Sequence, residues 1–123
     1  MSSSPIQNPA DVGPAFRQAL DAFDRNRPLL ILGHFDADGL SATAILFRAL
    51  TRAGHTADIR IMGKGEHLWS PSLREELEAR RPGGLVVTDL GVREDDILPG
   101  TPTILVDHHV PTGVPGNAIV ISG

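Results

Sequence analysis

Short apolar runs separated by helical patterns constrain the fold of this chain more than any other feature of its sequence. The runs at 29–32, 85–88 and 103–106 have the length of a buried strand, and turn residues flank them. Each run is almost continuously apolar and does not alternate with polar residues, which is typical of a parallel strand covered on both faces. Strands that alternate with helices in this way predict an α/β fold with a parallel sheet.

The fold class that follows is α/β, with a parallel five-stranded Rossmann-like sheet and helices on both faces. The expected strands are Leu29–Leu32, Asp58–Met62, Leu85–Asp89, Thr103–Asp107 and Ala118–Ile121. The expected helices are Asp11–Arg27, Gly39–Ala53, one from Pro71 or Ser72 to the glycines at 83–84, and Val92–Leu98. We predict a disordered tail over residues 1–10 and one domain over residues 11–123.

Composition narrows the functional classes. The 123 residues include no cysteine, so disulfides and cysteine-based metal sites are excluded, and a reducing cytoplasm is the expected location. No apolar run is long enough to span a membrane. The net charge is −4 and only 4% of the residues are aromatic, which predicts no strong nucleic-acid surface of the chain's own. Five arginines could form a local basic patch, although solvated surface charge is the default interpretation: Arg48, Arg52, Arg60, Arg80 and Arg81.

Acids and histidines follow the ends of three predicted strands. His34, Asp36 and Asp38 come after the first run, Asp89 ends the third predicted strand, and the sequence Asp-His-His at 107–109 ends the fourth. Parallel strands deliver their carboxyl ends to one edge of a sheet, where ligands bind. If the segment from His34 to Asp38 stays extended, its spacing of two points all three side chains the same way. Each residue alone has an ordinary explanation as a cap, turn or surface residue, but together they predict one site.

This cluster predicts a metal site that acts on phosphate. Four carboxylates so close together would repel one another unless divalent cations compensated their charge. Oxygen ligands with some imidazole favour Mn²⁺, with Mg²⁺ as the alternative, and two ions with Asp89 as bridge would suit phosphoryl chemistry. At the start of the second helix, the backbone N–H of Gly39 and the hydroxyl of Ser41 are candidate phosphate contacts.

The loop after the second predicted strand leaves two interpretations open. Lys64 could contact a substrate phosphate while Trp69 stacks on a base. The loop could equally be a simple connection in which Trp69 packs onto the core.

The motifs resemble a known family. Gly33-His34-x-Asp36-x-Asp38-Gly39, Asp89 within Val-Val-Thr-Asp-Leu-Gly, and Asp107-His108-His109 resemble the first three motifs of the DHH phosphoesterases. The resemblance covers residues 28–122, and the form of the first motif is similar to that of RecJ-like single-strand exonucleases. The resemblance implies a hydrolase with two Mn²⁺ ions, held by His34, Asp36, Asp38, Asp89 and His108. It implies that His109 faces the scissile phosphate and that Asp107 orients the histidines.

One departure from the family pattern affects the expected activity. The family has a fourth motif, an aspartate well after Asp-His-His, and usually a second domain that grips the substrate. Only 14 residues follow His109, and none is acidic. The chain is therefore either an amino-terminal fragment, which we favour, or a shortened relative with an incomplete second metal site. As a fragment it would bind nucleic acid or nucleotide mainly through a missing carboxyl-terminal domain. We expect it to be weakly active or inactive alone and able to form homo-oligomers. Alternatives to a nucleic-acid phosphodiesterase are a pyrophosphate or polyphosphate hydrolase and a non-catalytic scaffold or nucleotide sensor.

Overall fold

The computed structural model describes residues 9–88, 97–107 and 118–122. Its helices are α1 (Pro9–Leu20), α2 (Ala37–Arg52) and α3 (Pro71–Arg80). Its strands are β1 (Leu29–His34), β2 (Ala57–Met62), β3 (Leu85–Thr88), β4 (Thr103–Asp107) and β5 (Ala118–Ser122). None of the helices in the described part of the chain has the length and apolarity needed to cross a bilayer. The α/β class with a parallel sheet is confirmed.

The described strands form one parallel sheet in the order β2-β1-β3-β4-β5. From β1 the chain crosses to β2 on one side, and β3 then lies on the other side of β1. The order therefore reverses between β1 and β3, and in open α/β sheets ligands bind at the carboxyl ends of the strands at such a reversal. The topology thus identifies one place on the molecule, the space beyond His34 and Thr88, as the expected binding crevice.

Helices cover the sheet on both faces, and the strand residues alternate between them. Leu30, Leu32, Leu85 and Val87 belong to one buried cluster, which includes Leu73 and Leu77 of α3. Ile31, Val86 and Ile104 belong to a second cluster, with Ala19 of α1 and Leu50 of α2. Strand residues on the two faces are equally buried, which explains why the runs are continuously apolar. Trp69 packs against the first cluster, which favours the core interpretation of this residue.

Several helix boundaries differ from the sequence prediction, and α1 begins at Pro9, within the tail that was predicted to be disordered. α1 ends at Leu20, well before Arg27, because tighter turns follow and Phe23 then packs against Gly84. α2 begins two residues before Gly39, because the side chain of Asp36 caps it. α3 begins at Pro71 as expected, but its cap is Ser70, whose hydroxyl accepts a hydrogen bond from the N–H of Leu73. The predicted helix Val92–Leu98 lies mostly outside the described residues; its last two residues are buried in the core but are not helical.

α2 packs less deeply than its apolar sequence indicates. Leu50 is buried, but Leu40, Ile45 and Phe47 are exposed, with Ile45 at 69%. Gly39, Thr43 and Leu50 form the buried stripe, because these positions face β1 along one side of the helix. The side of α2 that faces solvent is therefore partly apolar.

Candidate metal centre

His34 and Asp36 form a close pair at the carboxyl end of β1. The Nδ1 atom of His34 lies 3.0 Å from Oδ2 of Asp36, and the histidine ring stacks on Phe35 with ring centroids 4.6 Å apart. The backbone N–H of Asp36 also points at Nδ1, at 3.3 Å. One nitrogen cannot donate to the carboxylate and accept from the N–H at once, and the shorter, charge-assisted contact is the stronger of the two. This pair is the part of the predicted metal site that the structure brings together.

Asp36 also fixes the start of α2. Its backbone is extended, and Oδ1 accepts a hydrogen bond of 2.7 Å from the N–H of Gly39, while Oδ2 faces His34. The two oxygens of one carboxylate therefore join the end of β1 to the first turn of α2. Helix termini leave four N–H groups without helical partners. Here Gly39 uses its N–H within the motif, and among the described residues the N–H groups of Ala37 and Asp38 are left for a ligand.

Gly39 has a steric role that the sequence analysis did not identify. A Cβ atom at this position would lie 2.4 Å from the carbonyl oxygen of His34 and 2.7 Å from the His34 Cβ. Only glycine lets the first turn of α2 lie this close to the end of β1. Its N–H bonds to Asp36 in this structure, and the contact between Gly39 and phosphate stays a prediction.

The other predicted residues at this edge are exposed. Asp38 lies in the first turn of α2, where the chain is already helical, so the expected extended arrangement of His34, Asp36 and Asp38 does not form. Ser41 lies on the exposed side of α2, and Lys64 follows the end of β2. Met62 of β2 pairs with His34 of β1 in the sheet, so the loop that contains Lys64 begins beside the His34–Asp36 pair.

Four predicted residues cannot be placed in full. Asp89, His108 and His109 lie outside the described residues, and Asp107 is described only as the last residue of β4. Within the described part of the chain, no group of three acidic or histidine side chains is arranged to hold a metal ion. The predicted ligand division between two ions therefore stays a prediction.

The described residues nevertheless fit a divalent cation. Two ligands on neighbouring sites of a Mg²⁺ octahedron lie about 2.9 Å apart for bonds of about 2.0–2.1 Å. The 3.0 Å between Nδ1 of His34 and Oδ2 of Asp36 matches that spacing, so these atoms can share a cation as well as a proton. Thr88 ends β3, on the other side of the place where the strand order reverses. Its buried hydroxyl has no hydrogen-bond partner among the described residues. A buried unpaired hydroxyl needs a polar partner, and this one immediately precedes Asp89.

The basic residues near this edge divide into two groups. Arg60 forms ion pairs with Glu66 and Glu76, and Arg80 forms one with Glu76. The positive charges of both arginines are therefore neutralised within the fold. Hydrogen bonds from Arg60 lower the pKa of both glutamates, that of Glu66 to about 2. Lys64 makes no hydrogen bond or ion pair with any other residue that the structure describes. Among the described residues that follow the end of β2, Lys64 is therefore a cation whose charge remains available.

Comparison with known proteins agrees with the fold. RecJ of Escherichia coli (strain K12), a single-stranded-DNA-specific exonuclease, is 29% identical over 115 residues, which cover 87% of this chain and 20% of the relative. The crystal structure of RecJ in complex with Mn²⁺ from Thermus thermophilus superimposes with a TM-score of 0.60 at 30% identity, covering 85% of this chain and 16% of that one. The chain thus spans a fifth or less of the length of these relatives. No family model matches the sequence.

The DHH-type motifs, the parallel α/β sheet and the likeness to two RecJ proteins lead to the same assignment. The resemblance in sequence extends over most of this chain, and so does the structural match. The chain therefore resembles a RecJ-like DHH domain in sequence and in fold.

Proposed function

We propose that this chain is the catalytic domain of a metal-dependent phosphoesterase that hydrolyses phosphodiester bonds in single-stranded nucleic acid. The observation that carries the proposal is the His34–Asp36 pair at the carboxyl end of β1, where the strand order reverses. The single-stranded-DNA specificity of one RecJ relative and the Mn²⁺ in the other support the same assignment.

His34 and Asp36 would hold one cation, and Asp38 with His108 would hold a second, with Asp89 between them. Divalent cations bound there supply an activated water and offset the negative charge of the phosphate. Asp89 follows Thr88 at the end of β3, and Asp107 ends β4, so their sequence positions belong to the next two strands of the sheet after β1. Neighbouring strands lie about 4.8 Å apart, so β1, β3 and β4 together span about 10 Å, enough for a two-metal site.

The remaining residues would bind and orient the substrate. The N–H groups of Ala37 and Asp38 point out of the amino terminus of α2, where the helix dipole favours a phosphate oxygen. Ser41 and Lys64 would add a hydroxyl and an ammonium group. His109 would face the scissile phosphate, and Asp107 would orient the histidines. The low aromatic content of the chain agrees with a substrate grip that lies mainly in other parts of a longer protein.

The decisive experiment measures Mn²⁺-dependent cleavage of a labelled single-stranded oligonucleotide by the intact protein, beside the double-stranded form, a cyclic dinucleotide, pyrophosphate and polyphosphate. We expect cleavage of the single strand, loss of at least about a thousandfold in Asp89→Ala, and unchanged activity in the exposed-site control Arg81→Gln. Cleavage of pyrophosphate alone would favour a phosphoanhydride hydrolase instead. Nucleotide binding without hydrolysis at any metal concentration would favour a sensor or scaffold, and would refute the enzyme proposal.

A further inference from the structure

Arg60 uses all of its hydrogen-bond donors inside the fold. A guanidinium group has five N–H donors in a fixed plane. Arg60 Nε and Nη2 bind the two carboxylate oxygens of Glu76, at 2.8 and 3.3 Å. Nη1 and Nη2 bind the two oxygens of Glu66, and Nη1 also binds the carbonyl oxygen of Ile61 at 2.6 Å. Arg60 therefore has no N–H left for a substrate, although its charge and position alone would make it a candidate contact for nucleic acid.

The Glu66 carboxylate that Arg60 holds closes a tight turn. We call Gly63, Lys64, Gly65 and Glu66 the 63–66 turn. Glu66 Oε1 accepts a hydrogen bond of 2.7 Å from the N–H of Gly63, and the N–H of Glu66 donates to the Gly63 carbonyl at 3.1 Å. Gly65, the third residue of the turn, has φ of +84°, which favours glycine. Two hydrogen bonds thus join the ends of the turn and leave Lys64 at its tip.

The 63–66 turn lies beside the His34–Asp36 pair. It follows Met62, which pairs with His34 in the sheet, and its tip residue Lys64 is exposed. Arg60 ties this turn at one end to β2 and, through Glu76, to α3. A turn on the surface is therefore anchored to two elements of the fold.

The chemistry explains why this position needs arginine. Arg60 lies between the carboxylates of Glu66 and Glu76, and without its positive charge the two carboxylates would repel each other. Lysine would supply the charge but only three donors from a single point, so it could not bind both carboxylates bidentately. All three side chains are partly exposed, so such pairs contribute little stability, and their main effect is on geometry.

We propose that Arg60 is a positioning residue: it holds the 63–66 turn so that Lys64 contacts a phosphate of the substrate strand next to the His34–Asp36 pair. This inference rests on the proposed function and deepens it, because it assigns the substrate's phosphate backbone to Lys64 and the placement of Lys64 to Arg60. It also predicts that Arg60 acts only through Lys64.

A double-mutant cycle in the full chain tests this dependence. With a single-stranded oligonucleotide and Mn²⁺, we expect Lys64→Ala to raise KM about tenfold with little change in kcat, as for one lost charge-assisted contact. Arg60→Gln should raise KM about three- to tenfold in the wild-type background but less than about twofold in the Lys64→Ala background. Arg60→Lys should not restore the wild-type KM. The control is Arg80→Gln, which removes the same charge from Glu76 but leaves Glu66 and the turn untouched.

Salt dependence of binding adds a measurement that a loss of stability would not change. With metal chelated, the slope of log affinity against log salt should fall by about 0.7 in Lys64→Ala, and by a comparable amount in Arg60→Gln. Equal KM and salt slope in Arg60→Gln and Arg80→Gln, with an active wild type, would overturn the inference. So would additive effects of Arg60→Gln and Lys64→Ala.

A third measurement does not depend on the proposed function. Trypsin should cut after Lys64 at least about fivefold faster in Arg60→Gln than in Arg80→Gln, because the released turn opens more often. If the wild-type chain neither cleaves nor binds single strands, the proposed function fails, and the trypsin rates alone then decide whether Arg60 holds the turn. Equal rates would overturn the inference in that case too.

Discussion

At the scale of single residues, the carboxyl edge of the sheet depends on side chains that do two things at once. Asp36 caps α2 through one oxygen and faces His34 through the other. Glu66 binds Arg60 and at the same time closes the turn that contains Lys64. In both places a carboxylate connects a strand end to the next segment, so local folding and the proposed chemistry share the same atoms.

Substitution of Asp36 should separate its two roles. Asn keeps an oxygen that can cap α2, so Asp36→Asn should lose at most about 0.5 kcal/mol of unfolding free energy, whereas Asp36→Ala should lose about 1 kcal/mol. Both variants should bind Mn²⁺ at least about tenfold more weakly, because the charged ligand is gone. Urea denaturation in a chelator measures the first effect, and calorimetric titration measures the second. An Asn variant as unstable as the Ala variant would show that the negative charge of Asp36, and not the cap hydrogen bond, stabilises the start of α2.

The pKa of Glu66 gives a pH prediction for the 63–66 turn. Hydrogen bonding from Arg60, and then from the N–H of Gly63, lowers this pKa from 4.5 to about 2. A lowered pKa means that the ion pair stabilises the fold at higher pH and is lost as the pH falls through about 4.5 towards about 2. The amide resonance of Gly63 should therefore titrate with a midpoint near 2 in the wild type. In Arg60→Gln the midpoint should move up towards the ordinary carboxyl value, and in Arg80→Gln it should stay low.

At the scale of elements, the ends of the helices differ most from the sequence prediction. The apolar spacing located all three described helices, but the caps depend on which side chain reaches a free N–H. Ser72 with Glu75 has the pattern of a capping box, yet the hydroxyl of Ser70 makes the contact at the start of α3. Similarly, Asp36 rather than Gly39 sets the start of α2.

The cap of α3 can be tested with a matched pair of serines. Ser70→Ala should lower the unfolding free energy by about 1 kcal/mol, because the N–H of Leu73 loses its acceptor. Ser72→Ala should change it by less than about 0.5 kcal/mol, because this exposed residue does not cap the helix. Urea denaturation of both variants measures the difference. A larger loss in Ser72→Ala would show that Ser72 caps α3 after all, as the capping-box pattern with Glu75 indicates.

At the scale of the whole molecule, the sheet separates two apolar clusters. Leu77 of α3 is fully buried in the first cluster, while Ile45 of α2 remains 69% exposed. The two residues have similar size and hydrophobicity and both lie on helices. Their different burial depends on which side of each helix meets the sheet.

Truncation of these two side chains should have very different effects. Leu77→Ala should lower the unfolding free energy by about 2–5 kcal/mol, because it removes buried methyl groups and leaves a cavity. Ile45→Ala should change it by less than about 0.5 kcal/mol. Chemical denaturation of the purified chain distinguishes the two. A loss above about 1 kcal/mol in Ile45→Ala would show that the exposed side of α2 is covered in solution.

The sequence by itself determined the fold class, the position of most strands and the likeness to the DHH family, because burial on both faces demands continuous apolar runs. β4 was predicted at its observed bounds, and β1 was extended by only two residues. It also predicted that His34 and Asp36 lie close together after a buried strand, and the structure brings these two side chains to 3.0 Å.

Only the tertiary structure decided how those residues are used. The strand order placed β1 beside β3, the approach of Gly39 to His34 set the entry of α2, and the Glu66 and Glu76 carboxylates removed Arg60 from the set of substrate contacts. These outcomes depend on atoms far apart in sequence meeting at about 3 Å, a distance at which hydrogen bonds form. Local pattern fixes which side of an element is buried, but only packing decides which polar atoms meet.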